Sequence, residues 1–232
     1  MRFLFFLFFL ICGAVAAQES DGLESAELLK KKPSRNPDLE GLVLTYQMDF
    51  LRGFPGDPVQ YRQLRSGGFS FTIYFNQRFG KSNYSFAAGL GLSSRNYFTN
   101  LRRWDLDPNN PNAVWPDSPA VKNKFVFTTY ELVPVEFRYS SKPRGKLKSF
   151  KASTGINVGY TGSLGSKSVL GSLTQKFKGR DDMLDLDPWR LAIIGRIGYH
   201  RLGLSFYYGL NEWFRTNPVN GRPMSVGLTL ML

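Results

Sequence analysis

Charged side chains recur on the less apolar side of several alternating segments, and they are the residues best placed to do chemistry. Such groups would either select anions inside an open barrel or pair with one another and fill it. Because about eight strands enclose little more space than their own side chains occupy, we predict paired charges and no continuous water path. This predicted lumen charge network consists of Asp49, Arg78, Arg95, Glu136, Arg138, Lys151, Arg190 and Arg196.

The sequence offers little for nucleophilic catalysis or metal binding. Its single histidine, His200, lies at a predicted tight turn, far from the long loops in which a serine and an acid would have to meet it. Aspartates recur in residues 105–108 and 181–188, where their oxygens could bind calcium, but neither segment has the twelve-residue loop pattern. We therefore predict Asp-Pro turns there, no metal or cofactor, and a protein that is not an enzyme. A lipid-modifying barrel enzyme is the remaining catalytic alternative.

Strands must position the charged residues, because apolar side chains recur at every second residue in eight runs. The runs cover residues 42–50, 69–79, 84–92, 125–139, 150–160, 189–199, 202–214 and 224–232. Period two is typical of strands. The intervening positions are often small, as Gly203, Ser205 and Gly209 illustrate, which favours the lining of a narrow barrel whose apolar face meets lipid. A soluble eight-stranded barrel or sandwich, with its apolar face turned inward, is the alternative.

Long and short connections alternate between these runs. The long ones cover residues 52–66, 100–121, 163–188 and 215–223, and the short ones cover residues 80–83, 140–149 and 200–201. We therefore predict an all-β, eight-stranded, antiparallel up-and-down transmembrane barrel, integral to the outer membrane, with short periplasmic turns and both termini in the periplasm. Aromatic residues at the run ends predict two interfacial girdles. One contains Phe79, Tyr84, Tyr139, Phe150 and Tyr199, and the other contains Phe50, Phe69, Phe98, Phe125, Tyr160, Trp189 and Phe214.

The fourth run is the least regular of the eight. Glu131 falls in phase with apolar positions, among them Phe125 and Phe127, that we expect to face outward. A β-bulge between Glu131 and Pro134 would turn the carboxylate inward.

The first 17 residues are typical of a cleaved secretory signal peptide, with Arg2, an apolar run over residues 3–11, and small residues before Gln18. The apolar run is shorter than the ~18 residues that a transmembrane helix needs. Cleavage would remove Cys12, the only cysteine, and leave a flexible periplasmic leader over residues 18–38 before a barrel over residues 39–232. A net charge of +12 could suit nucleic acid, but an exported protein meets outer-membrane lipid phosphates and lipopolysaccharide instead.

Five segments carry a family resemblance: residues 130–139 (YELVPVEFRY), 187–190 (DPWR), 195–199 (GRIGY), 206–210 (FYYGL) and 226–230 (VGLTL). They resemble strands of the small outer-membrane β-barrel family that includes the PorT-like proteins. The resemblance implies the barrel and an accessory protein-interaction role in type IX secretion in a Gram-negative envelope, with secretion-system proteins as partners. A narrow porin, or a structural or adhesive outer-membrane protein, is the alternative.

The end of the chain, residues 225–232, resembles the terminal signal that the barrel assembly machinery reads. Leu232 stands where an aromatic residue is usual. The resemblance implies that this machinery is a partner during biogenesis, and the departure bears on the efficiency of assembly.

Overall fold

The computed structural model describes residues 41–53, 61–80, 82–100, 121–142, 148–170, 173–178, 186–215 and 220–232. The chain divides into two units, Met1–Asn36 and Pro37–Leu232, and every described residue belongs to the second. The predicted signal peptide and leader therefore lie outside the described residues, as do residues 105–108. No helix within the described ranges has the length and apolar character needed to cross a membrane.

Strands account for most of the described chain, with one short 3-10 helix, Gln63–Arg65. The strands are β1 Leu42–Arg52, β2 Gly67–Arg78, β3 Tyr84–Thr99, β4 Val121–Ser140, β5 Phe150–Leu170, β6 Leu173–Lys178, β7 Trp189–Tyr199, β8 Leu202–Gly209 and β9 Arg222–Met231. Eight of them form a closed antiparallel ring in the order β1-β2-β3-β4-β5-β7-β8-β9, with β9 pairing back onto β1. The predicted all-β, eight-stranded barrel is confirmed.

β6 is the strand that lies outside the ring. It was not predicted, because it lies in the stretch 163–188 that we expected to be a loop. It pairs only with the far end of β5, from Gly165 to Leu170, so the two strands form a hairpin that projects beyond the ring. Six residues are too few for an alternating pattern to be recognised reliably in sequence. The long connection between β5 and β7 is therefore partly sheet.

The start of β1 and the end of β9 lie side by side at one end of the barrel. The Leu42 amide donates to the Leu232 carbonyl at 3.0 Å, and the Leu232 amide donates to the Leu42 carbonyl at 2.8 Å. The three short connections, β2–β3, β4–β5 and β7–β8, lie at this same end because every ring pairing is antiparallel. We call it the short-turn end. The four long connections lie at the opposite, long-loop end.

Apolar and polar side chains are distributed inside out relative to a soluble protein. On the outer wall, Tyr46, Phe75, Leu202 and Leu228 are 67–73% exposed. Inward positions hold the buried charges, and Asp49 is fully buried. A soluble sandwich would bury the first set and expose the second. The sequence prediction that the apolar face points away from the centre of the barrel is therefore confirmed.

A bulge in β4 interrupts the alternation where the sequence is irregular. The register between β4 and β5 shifts between Glu131 and Val133, and Glu131 is buried on the inner side, so both predictions for this site are confirmed. The expectation that Phe125 and Phe127 face outward was wrong, because both are fully buried inside the barrel. One extra residue exchanges the two faces of a strand, so all positions before the bulge change sides with Glu131.

The connection after β8 turns inward across the long-loop end. β8 ends at Gly209, before the end of the predicted run, and Asn211 then holds the chain against β7 by donating to the Trp189 carbonyl at 2.6 Å. Phe214, which we assigned to the outward girdle, is buried inside, so that assignment was wrong. Apart from Phe125 and Phe214, the described girdle residues are exposed or half-buried on the outer wall.

Candidate functional site

The interior of the barrel is the candidate functional site, and it is filled in layers between the two ends. A cluster around Glu136 lies toward the short-turn end, and a cluster around Asp49 lies toward the long-loop end. A small cavity separates the two clusters, and an aromatic plug closes the barrel beyond Asp49. Each layer is assembled from side chains of several strands, so none is contiguous in sequence.

Glu136 on β4 binds two guanidinium groups at once. Arg138 Nε donates to Glu136 Oε2 at 2.9 Å, and Arg196 Nη2, from β7, donates to the same oxygen. The Tyr74 hydroxyl from β2 donates to Oε1 at 2.6 Å, and its ring lies 4.3 Å from the Arg138 guanidinium carbon. All the polar groups of this layer are buried, so removal of the carboxylate would leave two cations without their main partner.

Glycine makes room for these charges on the neighbouring strands. A Cβ at Gly155 on β5 would lie 1.9 Å from the Val135 carbonyl oxygen, and one at Gly91 on β3 would lie 2.7 Å from Glu131 Oε2. Neither distance is compatible with a side chain. The small residues noted in the sequence therefore allow close strand approach and leave space for long inward side chains.

A polar cavity of about 50 Å³ lies between the two charged clusters. The Glu131 carboxylate lines it and accepts a hydrogen bond from Thr72 Oγ1 at 2.8 Å. Arg95 from one cluster and Arg196 from the other also line it. A space of this size holds a few water molecules, and the paired charges on both sides separate it from the ends of the barrel.

Asp49 on β1 is the centre of the second cluster. Its Oδ1 accepts hydrogen bonds from Ser225 Oγ at 2.6 Å, Gln47 Nε2 at 3.0 Å and Arg95 Nη1 at 3.2 Å. The Arg95 guanidinium carbon lies 3.7 Å from the centre of the Tyr207 ring. The cluster thus joins the seam strands β1 and β9 to β3 and β8.

Tyr61, in the connection after β1, covers this cluster from the long-loop side. Its hydroxyl donates to the Asp49 carbonyl oxygen at 2.5 Å. A tyrosine phenol is already protonated at neutral pH, and burial raises the pKa of Tyr61 further above its ordinary value. Its ring also lies 6.1 Å from the Tyr97 ring.

Aromatic and aliphatic side chains close the barrel beyond Asp49, and we call this group the aromatic plug. The Trp213 ring stacks on Phe127 at 4.0 Å and meets Tyr97 edge-on at 6.0 Å. The remaining members of the buried cluster are Leu51, Phe125, Leu164, Leu186 and Phe214. Close packing of this kind leaves little space between the described side chains at this end of the barrel.

Arg190 holds the plug in place, and it makes no ion pair with a carboxylate in the part of the chain that the structure describes. Its guanidinium donates to the carbonyl oxygens of Asp187, of Glu212 at 2.7 Å and of Trp213 at 3.2 Å. The guanidinium carbon lies 4.3 Å from the centre of the Trp213 ring. Arg190 therefore fastens the inward-turning connection to β7.

The predicted network thus divides into four groups. The structure brings Asp49 and Arg95 together, places Arg138 and Arg196 on Glu136, gives Arg190 to the plug, and leaves Arg78 and Lys151 half-buried at the short-turn mouth. Sequence reasoning missed several participants, among them Tyr74, Tyr207 and Trp213. Tyr74 and Tyr207 lie at inward positions of their runs, so the alternation of the sequence could have identified them. Nothing in the local pattern marks Trp213 as inward.

The described residues do not assemble a catalytic or metal-binding arrangement around the histidine or the acidic groups. His200 lies in the β7–β8 turn with φ 61°, at the short-turn end. Within the described ranges, no three His, Cys, Asp or Glu side chains are grouped closely enough to hold a metal ion. Asp187, the one described aspartate of the second acidic segment, accepts a hydrogen bond from the Trp189 amide at 3.1 Å.

Comparisons with known proteins give no relative from which a function could be transferred. No protein-family model matches the chain. No curated protein and no solved structure matches it either. The outer wall and the interior of the barrel are therefore the observations that bear on function.

Proposed function

We propose that this chain is an integral outer-membrane barrel with a sealed interior, and that it acts through its ends as an accessory binding component of protein secretion, in the manner of PorT-like proteins. The observation that carries the proposal is the inside-out arrangement of the barrel. Apolar side chains cover the exposed wall, and ion pairs occupy the interior. We therefore assign the function to the two ends of the barrel and not to a transport path or a catalytic centre inside it.

The outer wall supports the membrane location. Burying one large apolar side chain is worth about 1.5–3 kcal/mol, so a wall that exposes many of them to water would be strongly unfavourable. Aromatic residues lie at both ends, where Tyr84 stacks on Phe137 at 5.4 Å and Trp189 meets Tyr160 edge-on at 5.5 Å. Aromatic rings at these levels are typical of the interfaces of a bilayer.

The interior supports a binding role in preference to a pore. A solute would have to break the Glu136 cluster, then the Asp49–Arg95 pair, and then displace the plug. Each buried ion pair that loses a partner costs about 3–5 kcal/mol. Opening the interior would therefore require a large free energy. The surfaces that remain for function are the turns at one end and the long connections at the other.

Deletion of the gene, followed by comparison of secreted and surface proteins with the parent strain, tests this proposal. A tagged chain expressed from a plasmid provides complementation, and crosslinking before purification captures its partners. Loss of secreted proteins, restored by the plasmid, together with crosslinked secretion components, is the expected result. Membrane fractions should contain the tagged protein as a form whose electrophoretic mobility changes on boiling.

Unchanged secretion with no crosslinked secretion component would contradict the accessory role and leave a structural or adhesive envelope protein. Recovery of the tagged chain in the soluble fraction would contradict the membrane location itself. The two outcomes are separate, because a barrel can be in the outer membrane without serving secretion.

A further inference from the structure

The short-turn end opens into a small vestibule that is unusually rich in cations. The cavity measures about 30 Å³ and opens toward the mouth of the barrel. Its charged lining residues are Arg78, Arg138, Lys151 and Arg196, and no acidic side chain lines it within the described part of the chain. The serines Ser85, Ser140 and Ser153 also line it and supply hydroxyl donors.

The floor of the vestibule holds two guanidinium groups in fixed positions. Glu136 beneath them binds both Arg138 and Arg196, and the Tyr74 ring lies 4.3 Å and 5.2 Å from their respective guanidinium carbons. Among the described residues, Glu136 therefore pairs with two of the four cations that line the vestibule. A preorganised guanidinium pair with excess positive charge is an arrangement that recognises phosphate oxygens well.

The rim of the vestibule adds two further cations, which lie near the ends of their strands. Arg78 is the last residue of β2, Lys151 is the second residue of β5, and both are half-buried. The Arg78 guanidinium makes no ion pair with any residue that the structure describes. Positive charges at the mouth of an apolar-walled opening concentrate the field on an approaching anion.

We propose that this vestibule binds a phosphate group, which enters between Arg78 and Lys151 and contacts the guanidinium groups of Arg138 and Arg196. The ligand carries a phosphate group with anionic oxygens, and its source is either free inorganic phosphate or an anionic lipid headgroup. The site does not depend on a role in secretion.

The test uses the full-length folded barrel in nanodiscs of phosphatidylcholine, titrated calorimetrically with inorganic phosphate at constant ionic strength. The double variant R78Q/K151Q removes the rim charges and leaves the Glu136 cluster intact. The matched control, K148Q/R201Q, removes the same charge from exposed positions at the same end that do not line the vestibule. The shift in mobility on boiling establishes that each variant is folded.

Wild-type protein should bind phosphate, and R78Q/K151Q should weaken binding by about tenfold or more, since two charge-assisted contacts are lost. The control should change the affinity by less than about twofold, because exposed charges act weakly at a distance. A second arm replaces part of the phosphatidylcholine with phosphatidylglycerol. Reduced binding of inorganic phosphate in the nanodiscs with phosphatidylglycerol would show that the lipid headgroup occupies the vestibule. Unchanged binding would show that the free anion is the ligand.

Absence of phosphate binding by the wild-type barrel would overturn the proposal. Equal weakening in R78Q/K151Q and in the control would also overturn it, because the effect would then belong to the general positive field of this end. If R78Q/K151Q does not fold, the charge-preserving variant R78K and the single variant K151Q replace it. Undiminished phosphate binding by K151Q would then contradict the proposed site.

Discussion

Replacing Glu136 by Gln should destabilise the barrel far more than replacing Glu131 by Gln, although both are buried carboxylates on β4. E136Q leaves Arg138 and Arg196 buried without the carboxylate they share, and breaking a buried ion pair from one side costs about 3–5 kcal/mol. E131Q retains an oxygen that accepts the Thr72 hydrogen bond, so it should lose only about 1 kcal/mol.

The assay is the free energy of unfolding in lipid vesicles, measured by urea titration with tryptophan fluorescence and the mobility of the folded form. Adding R196M to E136Q removes one of the two cations that have lost the shared carboxylate and should recover part of the lost stability. Equal losses in E136Q and E131Q would refute the reasoning, as would a loss below about 1 kcal/mol in E136Q, because either result would mean that water solvates the cluster.

Three further substitutions test the other layers by the same unfolding assay. W213A empties the centre of the aromatic plug and should cost about 3–5 kcal/mol, yet the barrel should remain closed to ions because the charged layers persist. G155A, whose Cβ would meet the Val135 carbonyl at 1.9 Å, should prevent or greatly weaken folding, whereas G195A, with its nearest contact at 3.6 Å, should cost less than about 1 kcal/mol. L228R places a charge on the exposed wall and should cost about 2–4 kcal/mol in lipid, an effect that a water-exposed site would not show.

The alternation of apolar residues was sufficient to predict the barrel. Within each run, period two assigns every second side chain to the same face of the strand, and the long and short connections alternate along the chain. The faces of Leu228 or Phe75 follow from their own runs alone. Phe125 and Phe127 could not be assigned in this way. Their side depends on whether one residue near Glu131 is extra, and a single-residue slip reverses every position that precedes it.

The partners within the lumen were harder to predict than the lumen itself. The sequence places Glu136, Arg138 and Arg196 inside, but which charges meet depends on the stagger of strands that are distant in sequence. The inward turn that buries Trp213 depends on Arg190 binding the carbonyls of that segment, a long-range contact without a local pattern. Arg190 was therefore predicted correctly as inward-facing, while its role as a clamp for the plug was not anticipated.

Conductance in a planar bilayer tests most directly the claim that this barrel is sealed and works through its ends. Folded protein, verified by its mobility before and after boiling, is inserted at a protein density that gives many barrels per bilayer. We predict that the wild-type chain gives no stable current steps at any voltage that the bilayer withstands. Reproducible, anion-selective steps would contradict the sealed interior and would establish a narrow porin in its place.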